Sequence, residues 1–286
     1  MKLINKGNLK SALLAVMVYI FLVFENKKIT VSNYTINAPK ADKKYNGFKI
    51  VHISDLQNAS FGKRNKRLIK IIKNLKPDII VVTGDIVDCH KTDVYCALNF
   101  AHEISRICPS YYVCGNHEGV LGNYQKLSGD LVKVGFTVLN NESVYYGDDK
   151  KIRITGLTDP YLGYIKDMSQ FLKKQIAKDK NALNIVLCHR PQFIDMYSNS
   201  QSDIVFSGHA HGGQIRLPFI GGLFAPDQGL FPKYTKGVHK IGNTQLVISR
   251  GLGNSVFPQR LFNRPEVICV KLKIDWLGDY YDYRYM

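Results

Sequence analysis

From Phe48 onward the chain alternates strand-like apolar runs with apolar residues at helical spacing. FKIVHIS (48–54) and DIIVV (78–82) read as strands. Between them Leu68, Ile71, Ile72 and Leu75 recur on one helical face. Val94, Leu98, Ala101 and Ile104 mark a second helix, and YYVC (111–114) a third strand. This β-α-β-α-β order implies parallel pairing and an α/β domain. Further strands are predicted near 152–156, 184–188 and 204–206. Helices are predicted near 167–178 and 191–198, the latter opened by Pro191 in its first turn. The stretch 236–273 reads as mostly β, and no internal repeat is present.

The start of the chain follows another pattern. Lys2, Lys6 and Lys10 precede an uncharged run, SALLAVMVYIFLVF (Ser11–Phe24), which Glu25, Asn26, Lys27 and Lys28 close. As a helix this run reaches about 21 Å, short of a hydrocarbon core of about 30 Å. That length favours a signal-peptide core or a buried helix. Leu9 extends the run, however, Lys10 can snorkel outward, and no small-x-small cleavage site follows Phe24. The expectation is an uncleaved anchor over 1–28, with a cleaved signal and a soluble core helix as alternatives. More lysines lie before the run than directly after it, so the N-terminus should stay inside and the rest lie outside the membrane. Residues 29–46, with polar NAPKADKKYN at 37–46, are expected to be a linker and 47–275 one folded domain. The aromatic tail WLGDYYDYRYM (276–286) has no assigned role.

Charge narrows the partners only by sign. With 39 Lys and Arg against 23 Asp and Glu, the net charge is +16, which attracts nucleic acid, anionic lipid or phosphorylated glycans alike. The six cysteines show no zinc spacing. Cys114 and Cys188 end apolar runs and read as buried thiols; Cys89 with Cys96 or Cys108 is the pair to check for a disulfide. The lysines of 63–76 read as the solvated face of a helix.

Chemistry concentrates in five short segments at the downstream ends of predicted strands. They are Ser54-Asp55-Leu56-Gln57, Thr83-Gly84-Asp85, Gly115-Asn116-His117-Glu118, Cys188-His189-Arg190 and Gly208-His209-Ala210-His211. Sites in open α/β sheets assemble at that end of the strands. Carboxylate, amide and imidazole donors together suit a divalent cation such as Mn²⁺, Fe²⁺ or Zn²⁺. His209 and His211 would point the same way from a regular strand; a loop would let them address two neighbouring metals.

The order D-x-Q, GD, GNHE, H and GHAH resembles that of the calcineurin-like metallophosphoesterases, over roughly 48–273. GHAHGGQIRLP (208–218) followed by RGLGNS (250–255) is similar to a membrane-associated bacterial branch, which includes enzymes that hydrolyse a UDP-diacylglucosamine pyrophosphate bond. The resemblance implies a two-sheet β-sandwich flanked by helices, a four-layer α/β/β/α fold. It also implies two divalent metals, one on Asp55, Asp85 and His211, the other on Asp85, Asn116, His189 and His209. His117 would serve as general acid or charge stabiliser. Where the family carries a histidine ligand this chain has Gln57, so the first site should bind metal more weakly.

Around these segments, Arg190 and Arg250 are candidates to hold a phosphate bidentately or to make ordinary structural pairs, and Asn254 to line the site. His52 should pack inside a strand, and His90, His102 and His239 should lie on the surface. Phe219, Ile220, Leu223, Phe224, Leu230 and Phe231 crowd one Gly- and Pro-rich loop, forming either a satellite core or an apolar lip that enters lipid. The function implied is hydrolysis of a phosphoester or pyrophosphate bond, on a lipid-linked or amphiphilic substrate at the membrane. No specific nucleic-acid partner is expected, since no such binding motif is present. The rivals are a nuclease, from the positive charge, and a binding protein with an impaired centre, from Gln57.

Overall fold

A computed structural model of the chain describes residues 6–162, 168–254 and 257–274. The aromatic tail and Ser255 of the RGLGNS run lie outside the described residues.

The first helix, α1 (Lys6–Lys27), is longer than the uncharged run because the flanking polar residues join it. Its 22 residues reach about 33 Å, enough to cross a hydrocarbon core. Leu14, Val16, Met17 and Tyr19 are exposed on different sides, as expected of a helix that is apolar all round. It is long and apolar enough to cross a membrane. Its last turn is tied to the domain, where Asn26 and Glu25 accept hydrogen bonds from the backbone N–H groups of Arg260 and Asn263.

Directly after it comes β1 (Thr30–Asn37), where the polar sequence suggested a linker. TVSNYTIN buries only Ile36 fully, which is why its pattern is faint; it is an edge strand paired in parallel with β16 (Glu266–Lys273). Only 38–46 is a connection, and Ala38, Ala41 and Tyr45 of it are buried.

The expected alternation follows: β2 (Lys49–Ile53), α2 (Lys66–Leu75), β3 (Ile79–Thr83), α3 (Val94–Ser105), β4 (Ser110–Val113), α4 (Asn116–Val120), α5 (Tyr124–Lys133) and β5 (Phe136–Val138). These strands complete a six-stranded sheet in the order β1-β16-β2-β3-β4-β5. The second half contributes β6 (Glu142–Tyr146), β7 (Ile152–Gly156), α6 (Met168–Ala177), β8 (Leu183–Leu187), α7 (Ile194–Asn199) and β9 (Ile204–Ser207). Two small hairpins follow, β10 (Arg216–Leu217) with β11 (Gly221–Gly222) and β12 (Phe224–Ala225) with β13 (Gly229–Leu230). Then come β14 (Gly237–Ile241) and β15 (Thr244–Ile248), closing a second sheet in the order β14-β15-β9-β8-β7-β6.

The sheets face each other across a core to which Ile50, Val81 and Val113 of the first and Ile154, Ile185 and Phe206 of the second contribute. A second core lies under α2, α3 and α5, with Leu68, Phe100 and Leu131; a third lies under α6 and α7, with Leu172 and Tyr197. The result is the expected four-layer α/β/β/α sandwich. Lys66, Lys70 and Lys73 of α2 are solvated while Leu68, Ile69 and Ile72 face inward. All six cysteines are free, and Cys114 and Cys188 are buried. The loop 217–231 is no satellite core: Phe219, Ile220, Phe224, Leu230 and Phe231 are exposed and only Leu223 is half-buried.

Candidate metal centre

In the parallel runs of both sheets the motif segments follow the last residues of β2, β3, β4, β8 and β9. Three of the loops meet closely enough to require glycine. A Cβ on Gly84, whose φ is +84°, would stand 2.3 Å from the backbone nitrogen of Gly115, and one on Gly208 would stand 1.8 Å from Ser54 Oγ. The turns themselves are strained. Asp55, Gln57, Asp85, His209 and His211 all have positive φ, from 44° to 63°. Non-glycine residues rarely hold this conformation, and where they cluster the surrounding structure must over-determine it.

Two clusters of ligand atoms share Asp85, namely Asp55, Asp85 and His211, and Asp85, His189 and His209; a third group, Asp88, Cys89 and His117, does not include it. Within each the atoms lie within 4.8 Å of one another. Asn116 joins the second, its Oδ1 3.1 Å from Nε2 of His189. His209 and His211 lie in the loop beyond β9 and so serve different clusters. The two carboxylates and three imidazoles are buried, and Asn116 is half-buried.

Supporting contacts fix these side chains. Nδ1 of His189 donates to the carbonyl of Thr83 at 2.6 Å, which turns Nε2 toward Asp85 Oδ2, 3.2 Å away. Asp55 accepts from the backbone N–H of His209, and Asp85 from that of His117. Glu118 accepts from the N–H groups of Asp85, Val87 and Gly115, pinning the turn that presents Asp85. The backbone N–H of Cys89 donates to Nδ1 of His117 at 3.1 Å, so in the neutral ring the proton sits on Nε2, facing the clusters.

Electrostatics agree with a cation site. Burial, opposed by His189 and reinforced by Asp85, pushes Asp55 up to about 6. Burial resists the charge on His189, but Asp85 and Asp55 overcome it and raise the ring to about 10. Burial also opposes ionisation of Asp85, yet His189 and His117 hold it well below the usual carboxylate range. Burial and then His189 lower His209 to about 4; burial and then Arg260 take His211 well below its ordinary value. Two buried carboxylates and three imidazoles so close together are the donor set of a borderline divalent cation, which would also relieve the repulsion between Asp55 and Asp85.

A family model for the calcineurin-like phosphoesterases matches residues 48–213. The chain belongs to this family. Among similar proteins, the uncharacterized metallophosphoesterase YkuE of Bacillus subtilis is 31% identical over 263 residues, covering 87% of each chain. The phosphodiesterase YaeI of Escherichia coli is 29% identical over 231 residues, 79% of this chain and 82% of that one. A solved dimetal phosphatase from Danio rerio superposes with a TM-score of 0.48 at 11% identity, over 72% of this chain and 88% of that one. This metallophosphoesterase is therefore a metal-dependent phosphoester hydrolase, and the family implies divalent metal ions.

The structure brings the motif residues together, and of the two readings open for Arg190 and Arg250 it shows structural pairs. Arg190 spends its fork on Asp159, at 2.6 and 3.0 Å, and on Asp227. Arg250 pairs with Glu266 at 3.0 Å. Asn254 bonds the carbonyl of Pro258 and the guanidinium of Arg260. All three make structural pairs. His52 is buried against Phe206 with Nε2 2.8 Å from Thr83 Oγ1, while His90 and His102 are exposed and His239 is half-buried.

Two residues escaped the sequence reading. Asp227 lies 2.9 Å from Nε2 of His209 and also meets Arg190. Its only signal is an acid in an apolar loop. Arg260 is fully buried behind His211 and bonds the carbonyls of Arg250, Gly253 and Asn263. Nothing local marks it.

Proposed function

We propose that this metallophosphoesterase cleaves a phosphoester or pyrophosphate bond of a lipid-linked or amphiphilic substrate, at a two-metal centre on the outer face of the cell membrane. The observation that carries this reading is topological. β1 runs parallel to β16, and β16 antiparallel to β2, so Thr30 lies with the end of β2 that leads into Asp55. The membrane-length helix therefore enters the domain at the end of the sheets where the ligand clusters stand.

Asp55, Asp85 and His211 would hold one cation, and Asp85, Asn116, His189 and His209 the other, with Gln57 beside the first. Bound cations supply charge to the phosphoryl oxygens and make an attacking water more acidic. Thr83 holds His189 in one tautomer, and Glu118 holds the Asp85 turn. Nε2–H of His117 faces the clusters and is placed to give a proton to the leaving oxygen.

The test is a hydrolysis screen of lipid-linked and soluble phosphoesters with Mn²⁺ supplied. Amphiphilic esters should turn over faster; preference for soluble esters would overturn the substrate reading. Asp85→Asn should remove nearly all turnover, because it weakens both clusters. A residual rate above about a tenth, a loss under ~1.4 kcal/mol, would sink the two-cation assignment. Protease added to intact cells should degrade the domain; protection until lysis would place it inside.

A further inference from the structure

We infer that the exposed apolar loops 217–231 and 257–262 form an interfacial collar that lies in the headgroup region of an anionic bilayer beside α1, holding the metal centre against the membrane. The collar is continuous with the membrane-length helix. The rings of Phe21 and Phe262 stand 5.9 Å apart. The side chain of Gln259 donates to the carbonyl of Leu22, and that of Asn26 donates to the carbonyl of Pro258. Glu25 meets Arg264, whose guanidinium lies over the ring of Phe24. Helix and loop are thus joined by several bonds rather than by a tether, so the direction of α1 sets the direction of the domain.

Both loops leave the sheets at the end where α1 enters. The first follows β9 and the second lies between β15 and β16. At that end Phe219 is 110% exposed, and Ile220, Phe224, Leu230, Phe231 and Phe262 are exposed with it. Single exposed apolar side chains are ordinary, but a group on one face marks an interaction surface. Phe219, Phe231 and Phe262 also hold positive φ, from 51° to 66°, a conformation unfavourable for bulky residues.

The charges beside the collar select the occupant. A groove of about 430 Å³ is lined by Phe219, Ile220 and Phe262 together with Arg216 and Lys236. Arg216 bonds the carbonyl of Gly212 and the hydroxyl of Thr235, and neither cation makes an ion pair among the described residues. Apolar side chains flanking unpaired cations match acyl chains beneath anionic headgroups, and the net charge of +16 favours an anionic surface.

The proposal rests on the membrane reading of the function, but its test reads depth and needs no turnover, so the two can fail separately. Trp276 is the single tryptophan of the chain, so a Trp276→Phe background accepts a probe. The full chain carrying Phe219→Trp is reconstituted into vesicles of phosphatidylcholine and phosphatidylglycerol, with and without brominated acyl chains. A Tyr145→Trp control sits at the opposite end, since Tyr145 pairs with Arg153 near the start of β7. Brominated lipid should quench the probe at 219 severalfold more than that at 145. Equal quenching would overturn the proposal. So would a blue-shifted but unquenched probe at 219 with dimeric protein, which would mean that a second copy covers the collar. Lys236→Glu should weaken the quenching at 219 in anionic vesicles but not in pure phosphatidylcholine; the same effect in both would overturn the choice of an anionic leaflet.

Discussion

Arg260 stands behind His211, its Nη2 3.5 Å from the Nδ1 of the ring. No solvent reaches the guanidinium, and its remaining hydrogens go to three backbone carbonyls and the side chain of Asn254. The backbone N–H of Arg260 in turn donates to Asn26, at the end of α1. Replacing it with a neutral residue of similar length strands those carbonyls in the interior. Arg260→Met should therefore lower stability by on the order of 3 kcal/mol, read by urea unfolding of the full chain in detergent. Metal retention should fall as well, because the loop behind His211 loosens. Unchanged stability would mean that the carbonyls find water.

None of this was legible in the sequence, and the reason is physical. The partners of Arg260 are backbone groups that only the folded loop assembles. The ligand clusters were legible because carboxylates and imidazoles rarely gather at strand ends without a cation. The β-α-β-α-β opening showed because its strands are buried on both faces, as Ile79 to Val82 are. Edge strand β1 was lost in the linker because one buried side chain, Ile36, leaves no alternation to read. The fates of Arg190 and Arg250 could not be chosen beforehand, since Asp159, Asp227 and Glu266 are distant from them in sequence.

His117 offers a test of proton transfer. Its Nδ1 is occupied by the N–H of Cys89, and its Nε2 lies 3.9 Å from Asp85. His117→Ala should cut turnover by about 10²–10⁴-fold, the range of a lost proton-transfer group. Elemental analysis should find the metal content nearly unchanged. Loss of metal in step with loss of rate would make it a ligand instead.

Stripping the metals should invert the dependence of stability on pH. Burial and then Asp85 raise Glu118 to about 7, while Asp85 and Asp55, outweighing burial, raise His189 to about 10. Both groups then bind protons more tightly folded than unfolded. Their contribution is full below the unfolded values and is lost as pH rises through the folded ones. His209, lowered to about 4, works the other way, but only below its unfolded value near 6.5. The chelated protein should accordingly melt higher at pH 6.5 than at pH 8.5. Metal-loaded protein should gain stability over the same rise, because cations compete with protons for the same atoms. Parallel slopes with and without chelator would contradict the assignment of His189 and its carboxylate neighbours to a metal site.

The sharpest prediction concerns Gln57, whose amide nitrogen lies 3.2 Å from Nε2 of His211 and 3.4 Å from Oδ2 of Asp85. It is also 3.3 Å from Nε2 of His117. The amide thus sits where Asp85 and His211 converge, a neutral donor among atoms that would otherwise face a cation. Its own Oε1 is buried without a partner among the described residues. Turning the amide would offer that oxygen to a metal, but a neutral carbonyl serves Mn²⁺, Fe²⁺ or Zn²⁺ less well than an imidazole does. Gln57→His should therefore fill the Asp55–Asp85–His211 cluster at lower Mn²⁺ concentration and leave the other cluster nearly unchanged. Activity at limiting metal should rise, and at saturating metal it should change little. Anomalous scattering at each cluster, measured along one Mn²⁺ titration for both proteins, separates occupancy from rate. If Gln57→His fills the cluster yet slows turnover at saturation, Gln57 orients a water or a substrate hydroxyl. If occupancy is the same in both proteins at every concentration, Gln57 takes no part in holding the metal, and the close approach of its amide to Asp85 and His211 is packing alone.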